Sequence, residues 1–114
     1  MSQTELQQIE QNIEQAKQIR ELGKALERLQ GNRDFKDVIV SGYLRNEAVR
    51  LVHLKADPSM QSAESQASIV KQIDGIGSLE AFFRVIEIKA RQADKAIESD
   101  ELTMAELLAE ETQA

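Results

Sequence analysis

Residues 2–31 decide the fold of this chain and read SQTELQQIEQNIEQAKQIRELGKALERLQG. Ser2 and Glu5 have the spacing of a capping box, in which each side chain satisfies a free backbone N–H group of the other residue. Apolar residues then return every three or four positions, and Gly31 follows as a C-terminal stop. The pattern predicts one amphipathic helix over residues 1–30. Its apolar positions are Leu6, Ile9, Ile13, Ala16, Ile19, Leu22, Leu26 and Leu29.

The apolar stripe of this helix has the spacing of two short heptad stretches of a coiled coil. From Leu6 to Leu29 it extends for about 35 Å at 1.5 Å per residue, which is more than the small remainder of the chain is expected to cover. Two interpretations stay open, because the stripe can pack on later helices of the same chain or on another copy or partner. Gly23 permits the close approach of a second helix. For self-association, the expected interface is Leu6, Ile9, Ile13, Ala16, Ile19 and Leu22.

The composition favours an all-α fold. The chain has 114 residues, of which 41% are hydrophobic, with four aromatic side chains and one proline. A core built from Leu, Ile, Val and Ala, with Gln, Glu and Lys elsewhere, suits helices better than a β-sandwich. We therefore expect a long N-terminal coiled-coil-like helix followed by a small helical bundle. The expected division is an oligomerisation helix over 1–30, a helical body over 31–98 and an acidic segment over 99–114.

The first part of the body is predicted to contain two helical stretches. Asn32 or Asp34 can cap a helix that runs through Tyr43. The triplet Val38-Ile39-Val40 also suits a strand, but no second strand is available to pair with it. Helical spacing continues to Asp57-Pro58, where it should end because the residue before a proline avoids the α region. Residues 58–65 are expected to form a polar connection.

The rest of the body is predicted to contain a helix bearing Ala67 to Ile73 and a longer helix bearing Leu79 to Ile97. A tight turn over 74–78 should join them, with Ser78 as the cap of the longer helix. Ser99 or Thr103 is expected to start a final short helix.

The sequence offers few residues that could form a catalytic or metal-binding site. The chain has no cysteine and one histidine, whereas a metal site needs three or four ligands. His53 has no nucleophile motif near it in sequence. Carboxylate pairs such as Asp34 with Asp37 are typical of helix N-termini, where the helix dipole stabilises negative charge, rather than of acid–base catalysis. We therefore expect no enzyme activity and no cofactor. The N-terminus lacks the features of a signal peptide and no apolar run has the length of a membrane span, so we expect a cytoplasmic chain without a membrane partner.

Charge is concentrated at the C-terminal end. The chain has 20 acidic and 14 basic residues, and residues 94–114 hold seven of the acids but only one base. Within it, residues 99–114 are predicted to be partly disordered, with 109–114 disordered and 102–108 loosely docked through the apolar patch of Met104, Leu107 and Leu108. We expect 102–108 to become ordered when a partner covers Leu107 and Leu108. An alternative function is an inhibitor that presents these carboxylates to a basic surface of a host protein.

A local pattern gives a second alternative function. The sequence Val70-x-x-Ile73-x-Gly75-Ile76-Gly77-x-x-x-Ala81 resembles the helix-hairpin-helix motif. The resemblance implies that Gly75, Ile76 and Gly77 form a tight turn whose N–H groups bind a nucleic-acid phosphate. The simpler interpretation is a glycine-permitted turn in which Ile76 fills the core.

Residues 20–98 are similar in texture to small helical proteins of tailed bacteriophages from virion and head-morphogenesis regions. The similarity includes Gly23-Lys24-Ala25-Leu26, Asp34-Phe35-Lys36, Gly42-Tyr43-Leu44 and Ile76-Gly77-Ser78-Leu79. It implies a location in the host cytoplasm or the virion. Together with the stripe, it predicts a non-enzymatic structural or head-assembly protein that self-associates and binds a larger assembly such as a capsid. Nucleic-acid binding ranks second.

Overall fold

The chain is built from helices joined by two short connections. The computed structural model describes residues 2–113, among which no strand occurs. The elements are α1 (Ser2–Gln30), α2 (Arg33–Phe35), a π-helix (Lys36–Glu47), α3 (Ala48–Ala56), a 3-10 helix (Pro58–Met60) and α4 (Ala63–Gln113). The all-α class and the long N-terminal helix are therefore confirmed.

The helix boundaries in the first half follow local signals in the sequence. Gly31 follows the last residue of α1, and the Asn32 side chain accepts a hydrogen bond of 2.9 Å from the Phe35 amide at the start of α2. Of the two predicted caps, Asn32 rather than Asp34 is therefore used. The predicted capping box depends on the side chain of Ser2, which lies outside the described part of the structure.

The connection between α3 and α4 is fixed by polar side chains. As predicted, α3 ends before Asp57-Pro58. The Asp57 carboxylate accepts hydrogen bonds from the backbone N–H (2.8 Å) and the hydroxyl (2.7 Å) of Ser59, which lower the pKa of Asp57. Gln61 and Gln66 donate to the Lys55 carbonyl oxygen at the end of α3. The polar connection is shorter than the predicted 58–65, because α4 begins at Ala63.

The predicted breaks in the second half of the chain are wrong. Helix α4 runs through residues 74–78 without a turn, and neither Ser78 nor Ser99 begins a new helix. The Thr103 hydroxyl instead donates to the Ser99 carbonyl oxygen one turn earlier, as it can inside a helix. Buried or half-buried positions recur every three or four residues across all of these sites, which explains the continuity. They include Ile69, Ile73, Ile76, Leu79, Phe83, Ile86, Ala90, Ala93 and Ile97.

The chain divides into two compact units. Unit 1 contains the residues up to Leu26 and those from Val85 onward, and unit 2 contains Glu27–Arg84. Leu51, Ile69 and Ile76 form the buried centre of unit 2. Ala16, Ala93 and Ile97 form a smaller buried cluster in unit 1. The expected division into 1–30, 31–98 and 99–114 stays a prediction.

Candidate interaction surfaces

Unit 1 is an antiparallel pair of helices in close contact. Ala16 packs with Ala93 and Ile97, whereas Gly23, further along α1, lies against Ala90. The contacts on α4 therefore move backwards as those on α1 move forwards. A Cβ atom on Gly23 would lie only 2.3 Å from the Cβ of Ala90, so the glycine is what allows this approach. The close helix contact predicted at Gly23 is confirmed.

The predicted interface stripe of α1 is divided by this packing. Ile13 and Ala16 are buried within the chain, so most of their side-chain surface is already covered. Leu6 and Ile9 are half-buried, whereas Ile19 and Leu22 are exposed. Packing on a later helix of the same chain therefore accounts for the buried part of the stripe, whereas pairing of the exposed part with another copy or partner stays a prediction.

A groove lies beside Ile19, between α1 and α4. Apolar and small side chains form its floor, and polar groups form its rim. Lys89 and Asp100 are separated by eleven residues of α4, or about 16 Å, and eleven residues return to nearly the same face of a helix. The groove is lined by Asn12, Gln15, Ala16, Ile19, Lys89, Gln92, Ala93, Ala96 and Asp100.

The ion pair between the two helices contributes little to the stability of unit 1. The Arg20 Nε atom lies 4.0 Å from a carboxylate oxygen of Asp94, beyond hydrogen-bond distance. Both side chains are partly exposed, and such ion pairs contribute about 1 kcal/mol or less. Unit 1 is therefore held mainly by close apolar packing, with a core that is thin.

The predicted phosphate-binding turn at Gly75, Ile76 and Gly77 is not formed. All three residues lie inside α4, and no glycine among the described residues has a positive φ. Their N–H groups lie in the interior of a helix, whereas the free donors that bind phosphate occur in its first turn. Ile76 is buried beside Leu51, so the part of the simpler interpretation that placed Ile76 in the core is confirmed.

Replacing Gly77 by alanine should stabilise the protein. A Cβ atom at this position meets no atom within 4 Å, and the position is exposed. Alanine is favoured over glycine by about 1 kcal/mol in a helix interior. We expect the free energy of unfolding to rise by about 0.5–1 kcal/mol in urea titrations followed by circular dichroism. A loss of stability would indicate that residues 75–77 form a turn after all.

The C-terminal segment is helical through Gln113. Met104 and Leu107 are half-buried, whereas Leu108 is exposed, so only one member of the predicted docking patch is fully available. That the segment is partly disordered without a partner stays a prediction. Residue 114 lies outside the described residues.

His53 is exposed on α3. Within residues 2–113, no group of three or more His, Cys, Asp or Glu side chains has an arrangement that could hold a metal ion. None of the helices in the same range combines the length and the apolar composition of a membrane span.

Comparison of the chain with protein-family models, curated proteins and solved structures gives no match.

Proposed function

We propose that this protein is a non-enzymatic helical interaction protein that self-associates through the groove of unit 1. The observation that carries the proposal is the exposure of Ile19 and Leu22 on α1, next to stripe members such as Ile13 and Ala16 that are buried within the chain. Apolar side chains at helical spacing, beside a groove with a small-residue floor, are typical of a surface that accepts another helix.

The groove of a second copy can pack against this groove around a two-fold axis. Two helix pairs that pack groove to groove give a four-helix arrangement with a core deeper than one pair can build. In a two-fold symmetric contact, residue i of one copy meets residue j of the other and the reverse. With the axis midway between Lys89 and Asp100, each lysine faces the aspartate of the partner. The groove therefore carries a charge pattern that complements itself.

We also propose that the self-associated protein binds a larger assembly. The similarity to tailed-bacteriophage proteins supports a capsid or an assembly intermediate as that structure, in the host cytoplasm or the virion. The alternative function, nucleic-acid binding, depended on a turn that does not form in the structure.

Replacing Ile19 by aspartate should weaken the dimer. Burial of an isoleucine side chain contributes about 1.5–3 kcal/mol, so the dissociation constant should rise roughly tenfold or more. Analytical ultracentrifugation at micromolar concentration measures it. Ile88→Asp is the matched control, because Ile88 lies in unit 1 outside the groove and its exposed fraction, 40%, is close to the 41% of Ile19. A monomeric parent protein, or equal effects of the two substitutions, would contradict the proposal.

The proposed symmetry has its own test. Lys89→Glu and Asp100→Lys should each weaken the dimer by placing like charges opposite each other, whereas the double variant should regain most of the affinity. If the double variant is weaker than either single one, the groove is not packed around this axis.

A further inference from the structure

The outer face of α3 combines apolar and basic side chains. Val49 and Val52 are exposed, whereas Leu51 is buried. At about 100° per residue, Val49 lies nearly opposite Leu51 on the helix and Val52 lies to its side. Residues 45–56 contain three basic side chains and one acidic one, a net charge of +2 with His53 neutral. The basic residues are Arg45, in the π-helix that precedes α3, Lys55, one turn after Val52, and Arg50, which lies on another side of the helix and pairs with Glu47. We call this surface the basic valine face.

The C-terminal part of α4 carries a surface of opposite charge. Leu102 and Leu108 are exposed, and Ala105 and Ala109 lie between and beside them at helical spacing. Acidic side chains border this strip, and they belong to the segment with seven acids and one base. These acids are Glu98, Glu101 and Glu106, all exposed. We call this surface the acidic leucine face.

We propose that the acidic leucine face of one copy docks on the basic valine face of a second copy. Each surface presents two large aliphatic side chains, so contact removes apolar area from water on both sides. The charges at the borders are opposite, which favours this pairing over contact of either face with itself. Both faces are exposed in the single chain and are therefore available to a second molecule.

This contact joins two different surfaces, so it is heterologous. Repetition of a heterologous contact gives a closed ring or an open chain of subunits, rather than a dimer that ends growth. The contact uses neither Ile19 nor the groove. It goes beyond the proposed dimer and gives the protein a means of building a larger array.

The experiment uses full-length protein carrying both Ile19→Asp and Lys89→Glu, two substitutions that each weaken the groove dimer and lie outside both faces. Size-exclusion chromatography with light scattering should show association of this parent at high micromolar concentration. Val52→Asp, which disables the basic valine face, and Leu108→Asp, which disables the acidic leucine face, should each be monomeric alone. Their mixture should form a complex of one copy of each, because the first retains an intact acidic face and the second an intact basic face.

Two control variants test whether the loss of association is specific to the two faces. Val70→Asp and Ile88→Asp place the same charge at exposed aliphatic positions outside both faces and should leave association unchanged. Association of the parent should fall between about 50 mM and about 500 mM salt, because exposed charges are screened. A parent that stays monomeric, variants that associate as the parent does, or a mixture that stays monomeric would each overturn the inference. The doubly substituted background keeps this outcome separate from that of the groove dimer.

Discussion

Replacing Gly23 by alanine is expected to lower the free energy of unfolding by about 1–3 kcal/mol, the usual cost of adding a methyl group to a filled contact. The added Cβ atom would lie 2.3 Å from the Cβ of Ala90, so α1 and α4 must separate. Intrinsic helix propensity acts in the other direction by about 1 kcal/mol. We expect the packing cost to exceed it, because the core of unit 1 is thin and its helices depend on this approach. Urea titration followed by circular dichroism measures the change.

The partner residue provides the control. Ala90→Gly should be destabilising alone, since it removes packing and helix propensity, but it should recover stability in the presence of Gly23→Ala because one methyl group then fills the contact from the other side. A positive coupling in this double-mutant cycle would identify the Gly23–Ala90 contact as the cause. If Gly23→Ala stabilises the protein as much as Gly77→Ala, the two helices are not in this close contact.

Most of the helix boundaries of the first half could be predicted from the sequence because their causes are local. A glycine after α1, an asparagine that caps α2 and an Asp-Pro step after α3 act within a few residues of where they stand. In α4, local turn signals in the sequence are opposed by a longer-range helical period. Gly75 and Gly77 permit a turn, but the three-to-four-residue period passes through them, and burial of Ile69 and Ile76 with Leu51 favours one continuous helix.

Which residues of the apolar stripe are exposed could be predicted only in part, for a different reason. The sequence shows which residues of α1 are apolar, but not which edge of the stripe α4 covers. That depends on the register set by Gly23 and Ala90, two residues that lie far apart in the chain. Ile19 and Ile13 both belong to the predicted interface, but Ile19 is exposed, whereas Ile13 is buried and would report on folding if it were replaced. The basic valine face could not be predicted from the sequence, because Val52 has the same helical spacing as core residues.

Replacing Leu51 by alanine is expected to have the largest effect on stability in unit 2. Leu51 is 1% exposed and packs at the centre of a cluster with Ile69 and Ile76. Truncation of a buried leucine removes transfer free energy and leaves a cavity, with a usual cost of about 2–5 kcal/mol. The same urea titrations measure it, and hydrogen exchange should show the greatest loss of protection within residues 27–84.

Val52→Ala is the matched control for this prediction, since Val52 is the next residue and is 60% exposed. Its effect should stay within about 0.5 kcal/mol, as is usual for surface positions. The contrast also bears on the basic valine face, because α3 can present Val49 and Val52 to a second copy only if it turns Leu51 inward. Equal costs at Leu51 and Val52 would mean that α3 is rotated from the orientation described, and the docking surface would then be lost together with the core assignment.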